Sequence, residues 1–457
     1  MCGIVGIFNH PHAAVFAANA MFAEQHRGQE SCGIAVSNGD AIKIKKGMGL
    51  VKQVFIPEEL EKLSGNLAIG HVRYPTRGTS SEFNSQPHVV ETLSGPSYSL
   101  VSNGDIVNYH EIRKYLEDNF VYIASSNDGE IILKYIVYKV EKENLSIIDA
   151  IKSLMKNIKG SYSSVLATKN ELYLFRDPYG FRPMSWGKTS EGCIVVASET
   201  CALDILNAKY VRNVDPAEIV VVNSEGIISV ENKVNEYRNT SHNRHCIFEL
   251  IYFSRPDSYQ YKEDVYSVRQ RIGIKLAEFD EGFTPDLVVP VPDSSNFIAA
   301  GYANHKKMPV SFGLIRNHYV GRTFIKTEQS VRDESAKHKY NVLPHIFENK
   351  TVVLVDDSMI RGTTIKKIID IIINAGAKEV HLRIGAPQVK YSCFYGIDTP
   401  NKDDLISNRL SIEQIVKEYK LASLKHITLE CLEQCVKAPD NYCKACFTGD
   451  YPIDKID

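Results

Sequence analysis

The second residue of the chain, Cys2, is the first whose type and position could do chemistry. Removal of Met1 would leave a cysteine that carries both a thiol and a free α-amino group. An α-amine has a pKa of about 7.7–8.0, so near neutral pH it can take the proton of its own thiol. Gly3 follows and leaves room for a substrate carbonyl to approach. A cysteine at position 2 is by itself more often an incidental residue, so an N-terminal nucleophile is predicted here only with support from other segments and on the condition that Met1 is removed.

Four further segments, rich in polar residues and glycine, follow Cys2 along the chain. They are His26-Arg27-Gly28-Gln29-Glu30-Ser31, Gly70-His71-Val72-Arg73-Tyr74-Pro75-Thr76, Ser102-Asn103-Gly104-Asp105 and Ser126-Asn127-Asp128-Gly129. An arginine and an aspartate together complement the charges of an amino-acid zwitterion. Taken singly, Arg73 is typical of a surface ion pair and Asp128 of a turn or a helix cap.

In order and content, Cys2 and these segments resemble the glutaminase domain of amidotransferases with an N-terminal nucleophile. The resemblance implies that Arg73 binds the α-carboxylate of glutamine and Asp128 its α-amino group. It also implies that Asn103 and the Gly104 N–H form an oxyanion hole, where charge develops as the thiolate attacks. Two positions differ from the family pattern: Pro75 replaces a usual serine and Ser102 a frequent histidine.

A second chemical motif is an apolar strand that delivers two acids to a turn before a helix. It reads Val352-Val353-Leu354-Val355-Asp356-Asp357-Ser358-Met359-Ile360-Arg361-Gly362-Thr363-Thr364. Backbone N–H groups at such a turn can bind a phosphate, and the carboxylates can hold ribose hydroxyls or Mg²⁺. An acidic turn with ordinary helix caps is the alternative. The segment resembles the phosphoribosyl pyrophosphate signature of type I phosphoribosyltransferases, which implies substrate-binding roles for Asp356, Asp357, Arg361, Gly362, Thr363 and Thr364.

The preceding strand runs into Pro292-Asp293-Ser294-Ser295, where such enzymes place their pyrophosphate loop. The resemblance implies that Asp293 and Ser294 bind substrate and that Ser294, Asp356 and Asp357 hold Mg²⁺. Ser295 replaces the usual glycine and would be strained if that position requires a positive φ. Residues from Ile315 to about Tyr340 resemble the mobile loop that closes over the substrate, with a solvated surface loop as the alternative.

The elements that must position these groups change in character along the chain. From Gly3 to about Val230, short β-rich runs with turn signals alternate with helical stretches such as Ile131–Lys142 and Ile147–Ile158. Asn38-Gly39 between two such runs predicts a hairpin. This first part is predicted to be an α+β domain of antiparallel sheets layered with helices.

Beyond a polar linker at about residues 235–245, the strands become nearly continuous apolar runs. Asp286–Val291 and Thr351–Val355 are of the kind that is buried on both faces of a parallel sheet. Each leads through a polar turn into a helix, and Gly376 is predicted to end the second helix. The second part is therefore predicted to be doubly wound α/β, with ligands at the carboxyl ends of its strands.

Composition agrees with a globular protein of two to three domains. The chain has 457 residues, of which 44% are hydrophobic and 24% charged, and its net charge is −2. This balance excludes a strong general attraction to nucleic acid or to a membrane surface. The N-terminus has no secretory signal pattern and no apolar run reaches membrane-spanning length, so a cytoplasmic location is expected. Disulfides are not expected among the ten cysteines.

A glutaminase followed by a phosphoribosyltransferase resembles one family, the glutamine phosphoribosylpyrophosphate amidotransferases. The likeness extends to Arg176-Asp177-Pro178-Tyr179-Gly180-Phe181-Arg182-Pro183, Ala197-Ser198-Glu199-Thr200 and Phe248–Ser258. It implies an N-terminal-nucleophile (αββα) glutaminase domain at residues 2–234 and a type I phosphoribosyltransferase domain with a cluster-binding segment at residues 246–457. The implied activity transfers ammonia from glutamine to phosphoribosyl pyrophosphate, giving 5-phosphoribosylamine, the first committed step of purine synthesis. Inhibition by purine nucleotides and a homodimer or homotetramer are also implied.

Four of the cysteines are candidate metal ligands. Cys443-Lys444-Ala445-Cys446 has a spacing that serves both zinc and iron–sulfur clusters. Cys246 and Cys393 occupy the positions where cluster-bearing family members carry their other two ligands. The resemblance thus implies a [4Fe-4S] cluster in a structural or oxygen-sensing role. Cys431 and Cys435 form a competing pair and are interpreted as core or incidental residues.

Two other functions compete with this interpretation. One is a glutaminase that supplies a different acceptor, such as a sugar phosphate or aspartate, but Asp356 and Asp357 argue against it. The other is a catalytically silent paralogue that binds nucleotides as a regulator. Only Ser295 and Pro75 favour the second rival.

Overall fold

The computed structural model describes residues 1–75, 78–93, 95–230, 237–238, 240–319 and 339–454. Thr76 of the second glutaminase segment, the predicted boundary at residue 234 and most of the predicted mobile loop lie outside these ranges. Within the described ranges no helix combines the length and apolar character that crossing a membrane requires.

The first half of the chain forms two antiparallel sheets with flanking helices. Its elements in chain order are β1 (Gly3–Phe8), α1 (Ala13–Ala23), β2 (Ser31–Ser37), β3 (Ile42–Met48), α2 (Val51–Val54), α3 (Pro57–Glu61), β4 (Leu67–Arg73), β5 (His88–Thr92), β6 (Gly95–Ile106), α4 (Tyr109–Asp118), α5 (Asp128–Glu141), α6 (Ile147–Asn157), β7 (Gly160–Ala167), β8 (Leu172–Arg176), β9 (Ser185–Lys188), β10 (Ile194–Ala197), α7 (Cys201–Asp204), β11 (Lys209–Asn213), β12 (Ile219–Asn223) and β13 (Gly226–Val230). One sheet has the order β11-β9-β10-β1-β4-β2-β3 and the other β13-β12-β8-β7-β6-β5.

Alternating side chains stack these sheets into four layers. Along β1, Ile4 packs between the two sheets, whereas Val5 and Ile7 pack on the side that holds α1. Along β7, Val165 faces the other sheet and Leu166 packs in the core that holds α4, α5 and α6. Because side chains alternate between the faces of a strand, each sheet covers one apolar core on each side. The predicted αββα layering is thus confirmed, as is the hairpin between β2 and β3.

The second half is built around a parallel sheet with the order β17-β20-β21-β22. Its elements are β14 (His245–Cys246), a π-helix (Glu249–Phe253), β15 (Tyr259–Gln260), β16 (Glu263–Asp264), α8 (Val265–Glu278), β17 (Leu287–Pro290), α9 (Asn296–His305), β18 (Leu314–Arg316), β19 (Tyr340–Val342), α10 (Pro344–Phe347), β20 (Thr351–Asp356), α11 (Thr363–Asn374), β21 (Glu379–Ile384), α12 (Ile406–Arg409), α13 (Ile412–Glu418), β22 (Ser423–His426), α14 (Leu429–Glu433), β23 (Tyr442–Cys443) and α15 (Ala445–Thr448). The predicted α/β class is confirmed.

The two predicted apolar strands are the neighbours β17 and β20. Pro290 pairs with Val355 in their parallel register, so both strands end at the same edge of the sheet. The residues that follow them are therefore brought together, as expected for a doubly wound sheet. Helix α11 ends as predicted, because Gly376 has φ 92° just beyond its last turn.

Candidate active sites

Cys2 lies at the start of β1 and is 8% exposed. Its backbone N–H donates to Asn103 Oδ1 at 3.0 Å, while its carbonyl oxygen accepts from Arg27 Nε at 2.9 Å. The Tyr74 N–H lies 3.4 Å from Cys2 Sγ and donates to it. Cys2 is thus held by three segments that the sequence selected, two through its backbone and one through its thiol. Arg27 and Tyr74 lie within those segments, but their contacts with Cys2 could not be deduced from the motifs alone.

Asn103 is fully buried and keeps one amide hydrogen-bonding group unused. Its Oδ1 is occupied by Cys2, whereas its Nδ2 has no hydrogen-bond partner in the described part of the chain. A buried donor without a partner is rare in folded proteins. Beside a cysteine nucleophile, such a donor is suited to the negative oxygen that forms when an amide carbonyl is attacked.

Arg73 is buried rather than part of a surface ion pair. It ends β4, is 1% exposed, and its Nη1 donates to Glu30 Oε2 at 2.7 Å. Glu30 thereby orients the guanidinium. Asp128, 7% exposed, is the first residue of α5, and the cap is Asn127, whose Oδ1 accepts from the Gly129 N–H at 2.9 Å. A role as helix cap therefore does not account for Asp128.

Gln86 connects the oxyanion strand to the start of α5, and the sequence did not single it out. Its Nε2 donates to the Ser102 carbonyl at 3.2 Å and to Asn127 Oδ1 at 3.1 Å. Its Oε1 accepts from the Ser102 N–H at 2.6 Å. One side chain thus joins the residue before Asn103 to the residue before Asp128. A lone glutamine before a proline carries no local signal of this role.

At the second site, Asp356 and Asp357 lie at the end of β20, close to the loop after β17. The Ser294 and Ser358 hydroxyls both hydrogen-bond to the Asp357 carboxylate, the latter at 2.6 Å. Burial raises the pKa of both aspartates, and the neighbouring Asp357 charge raises the pKa of Asp356 further. Arg269 partly offsets this effect at Asp357. A bound divalent cation would supply positive charge to this pair of carboxylates. Carboxylate oxygens are hard ligands of the kind that Mg²⁺ prefers.

The turn before α11 has the geometry of an anion-binding turn. Gly362 has φ 75°, and a Cβ there would lie 2.4 Å from Tyr419 Oη and from Ile406 Cδ1. A larger residue would therefore be excluded by space as well as by backbone angle. Helix α11 begins at the exposed Thr363, so its first N–H groups are available to a phosphate. Arg361 and Thr364 are likewise exposed.

The pyrophosphate-loop residues have distinct environments. Ser295 has φ −96°, so the strain considered for this position does not arise. Its buried hydroxyl donates to the Val291 carbonyl oxygen. Asp293 is exposed and forms an ion pair with Arg316 at 2.8 Å. Only Ser294 of this loop is hydrogen-bonded to the Asp357 carboxylate among the described contacts.

The four candidate metal-binding cysteines, Cys246, Cys393, Cys443 and Cys446, line one cavity together with Phe181 and Arg182. Cys246 and Cys443 are paired directly in the parallel β14–β23 ladder. The Tyr395 N–H donates to Cys393 Sγ at 3.3 Å. Burial raises the pKa of Cys246 to about 11, and it raises the pKa of Cys443 and Cys446 further.

The four thiols line one cavity, which leaves space for a group between them. No three His, Cys, Asp or Glu side chains in the described ranges are arranged to hold a single metal ion. A zinc ion would draw all four sulfurs to about 2.3 Å from one point. An iron–sulfur cluster places its ligands around a larger body. The set of four sulfurs around a cavity therefore fits a cluster. Cys431 and Cys435 do not line this cavity.

A buried charge network joins the two halves of the molecule. Arg27 Nη2 donates to Glu249 Oε1 at 2.7 Å, and Arg27 Nη1 donates to Glu199 Oε1 at 2.5 Å. Burial by itself would lower the pKa of Arg27, but the two carboxylates hold it well above its usual value. Because Arg27 also donates to the Cys2 carbonyl, Cys2 is connected to the second half of the chain through one side chain.

Two family models match the chain. One, described as a glutamine amidotransferase domain, covers residues 71–205, and the other, a phosphoribosyl transferase domain, covers residues 268–385. Both ranges fall inside the domains expected from the sequence. The domain boundaries themselves stay predictions.

Similar proteins span nearly the whole chain. Amidophosphoribosyltransferase 1, chloroplastic, of Arabidopsis thaliana is 43% identical over 99% of this chain and 78% of its own length. The amidophosphoribosyltransferase of Methanothermobacter thermautotrophicus is 42% identical over 99% and 94%. The structure of glutamine phosphoribosylpyrophosphate amidotransferase from B. subtilis, complexed with ADP and GMP, is similar with a TM-score of 0.90. It is 37% identical and covers 99% of this chain and 98% of its own.

Proposed function

This chain belongs to the amidophosphoribosyltransferase family, and we propose that its two sites divide the family's reaction between them. Ammonia is released from glutamine at Cys2 and transferred to phosphoribosyl pyrophosphate at the second site. The products are 5-phosphoribosylamine, glutamate and pyrophosphate. This is the first committed step of purine nucleotide synthesis.

At the first site, the α-amine of Cys2 takes the thiol proton and Sγ attacks the amide carbon of glutamine. Arg73 and Asp128 hold the α-carboxylate and the α-amino group. Asn103 Nδ2 and the Gly104 N–H stabilise the oxyanion, after which ammonia leaves and a γ-glutamyl thioester remains. Water then hydrolyses the thioester to release glutamate.

At the second site, ammonia attacks C1 of phosphoribosyl pyrophosphate and pyrophosphate leaves. Ser294, Asp356 and Asp357 would hold Mg²⁺, which supplies positive charge to the departing pyrophosphate. The turn from Arg361 to Thr364 would bind the 5-phosphate through N–H groups at the start of α11. Internal passage of ammonia, and closure of the predicted mobile loop, would keep ammonia from protonation and loss.

The observation that carries the proposal for the first site is the pairing of Cys2 with Asn103. A thiol at the chain start lies beside a buried amide whose oxygen is occupied and whose nitrogen has no partner among the described residues. That arrangement supports nucleophilic attack on a carbonyl. It depends on Met1 being removed, and Met1 is 1% exposed in the structure. Intact mass of the purified protein tests this condition, and a retained methionine would contradict the mechanism.

Replacement of the nucleophile separates the two half-reactions. In Cys2→Ala, glutamine-dependent synthesis should fall by more than about a thousandfold, the scale on which losing a nucleophile acts. Synthesis from added ammonium should be retained, because the second site is intact. The reciprocal variant, Asp356→Asn, should lose both syntheses and keep glutamine hydrolysis. Loss of ammonia-dependent synthesis in Cys2→Ala would show that the proposed division is wrong.

We further propose that Cys246, Cys393, Cys443 and Cys446 hold a [4Fe-4S] cluster that fastens the chain end to the second domain. The cavity between the four sulfurs and the amide that donates to Cys393 support this assignment. Arg182 lines the same cavity, and its positive charge suits thiolate ligands. The proposed role is structural or oxygen-sensing.

Metal analysis tests the cluster directly. Anaerobically purified protein should contain iron and acid-labile sulfide in equal amounts and absorb broadly in the visible range. Cys446→Ser should lower both contents, whereas the control Cys431→Ser, outside the cavity, should not. Colourless protein with stoichiometric zinc would contradict the assignment.

Membership of the family also supports proposals about regulation and oligomeric state. Inhibition by purine nucleotides is supported by the B. subtilis relative, which is complexed with ADP and GMP. A homodimer or homotetramer and a cytoplasmic location are proposed with them. The silent-paralogue rival loses one of its two supporting features, because φ of Ser295 is negative and serine is unstrained there.

A further inference from the structure

One glycine of the second half of the chain lies against the oxyanion strand of the first half. A Cβ built on Gly396 would lie 3.2 Å from the carbonyl carbon and 3.4 Å from the Cα of Gly104. The residues are 292 positions apart by number. At a φ of 94°, glycine is also the residue that this backbone conformation favours. A Cβ at this distance would be tighter than ordinary van der Waals contact, so the two backbones would have to move apart by a few tenths of an ångström.

The segment that carries this glycine, Cys393 to Asp398, is held rigidly; we call it the 393–398 segment. The Tyr395 carbonyl oxygen accepts from Arg182 Nε at 2.7 Å and from Ser161 Oγ at 2.9 Å. The Tyr395 ring stacks on Phe181 with their centroids 4.3 Å apart. The 393–398 segment is therefore fixed by polar and aromatic contacts to the first half of the molecule.

The same contacts reach the backbone on both sides of Gly104. Ser161 Oγ accepts from the Asp105 N–H at 3.1 Å, so a hydrogen-bonded chain runs from the Tyr395 carbonyl to the residue after Gly104. On its other side, a Cβ on Gly104 would lie 1.9 Å from the Ser161 carbonyl oxygen. Gly104 is thus enclosed between β7 and the 393–398 segment, and the peptide plane between Gly104 and Asp105 has little freedom to rotate.

We propose that Gly396 is a positioning residue for glutamine hydrolysis, contributed by the second half of the chain. By packing on the Cα and carbonyl group of Gly104, it restrains that backbone, and with it the N–H on the same Cα is held in the direction that binds the oxyanion. This inference rests on the proposed role of Gly104 and deepens it. Preorganised donors act through their orientation, so a small displacement weakens transition-state binding while the substrate's charged ends stay bound.

The test is Gly396→Ala in the full-length protein, with Gly282→Ala as the matched control. Both glycines have a positive φ, but a Cβ on Gly282 meets no atom within 4 Å. In Gly396→Ala, kcat for glutamine hydrolysis should fall by about tenfold or more, toward the effect of losing one oxyanion donor. KM for glutamine and synthesis from ammonium should stay at the level of the control.

The second variant, Ser161→Ala, breaks the hydrogen-bonded chain without adding volume. It should lower kcat in the same direction with KM unchanged. Equal kcat in Gly396→Ala, Gly282→Ala and the unmodified enzyme would overturn the inference, as would a parallel loss of ammonia-dependent synthesis. If Gly396→Ala does not fold, an unchanged kcat in Ser161→Ala is sufficient by itself to overturn the inference.

A third variant separates this inference from the proposed function. Asn103→Ala should lose glutamine hydrolysis if the oxyanion site is where we place it. If Asn103→Ala is inactive and Gly396→Ala is fully active, only the positioning role is wrong. If Asn103→Ala keeps full activity, the proposed site itself is wrong.

Discussion

The two ends of the Asn103 amide are used differently, and this asymmetry is what makes the residue suited to catalysis. Its oxygen accepts from the Cys2 N–H, and its nitrogen, which has no partner among the residues that the structure describes, is placed for a charge that would exist only during the proposed reaction. An interaction that strengthens in the transition state raises kcat, whereas one formed equally with the substrate does not. Gln86 acts on the same site indirectly, because it is hydrogen-bonded to Ser102 and Asn127, the residues before Asn103 and Asp128.

Truncation of Gln86 should therefore impair glutamine use. In Gln86→Ala, the Ser102 N–H loses its side-chain partner, whereas the Ser102 carbonyl keeps its contact with His71, and an unpaired buried polar group costs about 1–3 kcal/mol. We expect kcat/KM for glutamine to fall by about tenfold to a hundredfold. KM for glutamine should rise as well, because Asn127 loses its hydrogen bond from Gln86 and the start of α5, which carries Asp128, is then held less firmly.

The measurement is steady-state kinetics with glutamine and with ammonium. Synthesis from ammonium should not change. Gln53→Ala is the control, since Gln53 accepts only from the exposed Leu50 N–H. Unchanged glutamine kinetics in Gln86→Ala would show that the hydrogen bonds of Gln86 to Ser102 and Asn127 have no functional role.

At the scale of elements, the second site depends on where two parallel strands end. Strands β17 and β20 deliver Ser294 and Asp357 to one edge, and α11 starts just beyond with its N-terminus open. The π-helix Glu249–Phe253 connects this sheet to the first half of the chain. Arg269 of α8 donates to the carbonyls of Leu250 and Ser254, which lie in and just after the π-helix. The positive charge of Arg269 also lowers the pKa of Asp357. One residue of α8 therefore interacts both with the π-helix and with the second site.

At the scale of the whole molecule, Arg27 connects the nucleophile to the second domain. Its guanidinium contacts Glu199 of the first half and Glu249 of the second, and all three side chains are fully buried. Removing one partner of a buried ion pair leaves the other charge uncompensated and costs on the order of 3–5 kcal/mol. The contact between domains is thus sensitive to this one position.

Glu249→Gln should uncouple the two half-reactions. The glutamine side chain keeps the shape but not the charge, so the domain contact loosens and more ammonia escapes. We expect less phosphoribosylamine per glutamate formed, while glutamine hydrolysis continues. The ratio of the two products measures the effect.

The control is Glu117→Gln, whose partner Arg113 forms an exposed pair four residues earlier on α4. Such surface pairs contribute about 0.3–0.5 kcal/mol, so the product ratio should stay as in the unmodified enzyme. An unchanged ratio in Glu249→Gln would contradict a coupling role for the Arg27–Glu249 contact.

The sequence was sufficient for the fold classes and, through its resemblance to known proteins, for the enzyme family. Alternating and continuous apolar runs distinguished the antiparallel layers from the parallel sheet, because burial on one or both faces sets those patterns. The Asp356–Thr364 segment was readable because its groups are contiguous, so a strand, a turn and a helix start suffice to arrange them. Cys2 was interpretable only together with the four segments that follow it, because a cysteine at position 2 is by itself more often incidental.

Only the tertiary structure decided which distant groups hold the sites in place. Glu249 lies 222 positions from Arg27, and Tyr395 lies 234 positions from Ser161. No local pattern marks such pairs, since they form only when separate elements pack. The same holds for Gln86, for the negative φ at Ser295 and for the contact of Gly396 with Gly104. The motifs name the reacting groups, and the long-range packing of buried polar groups and backbone determines how they are oriented.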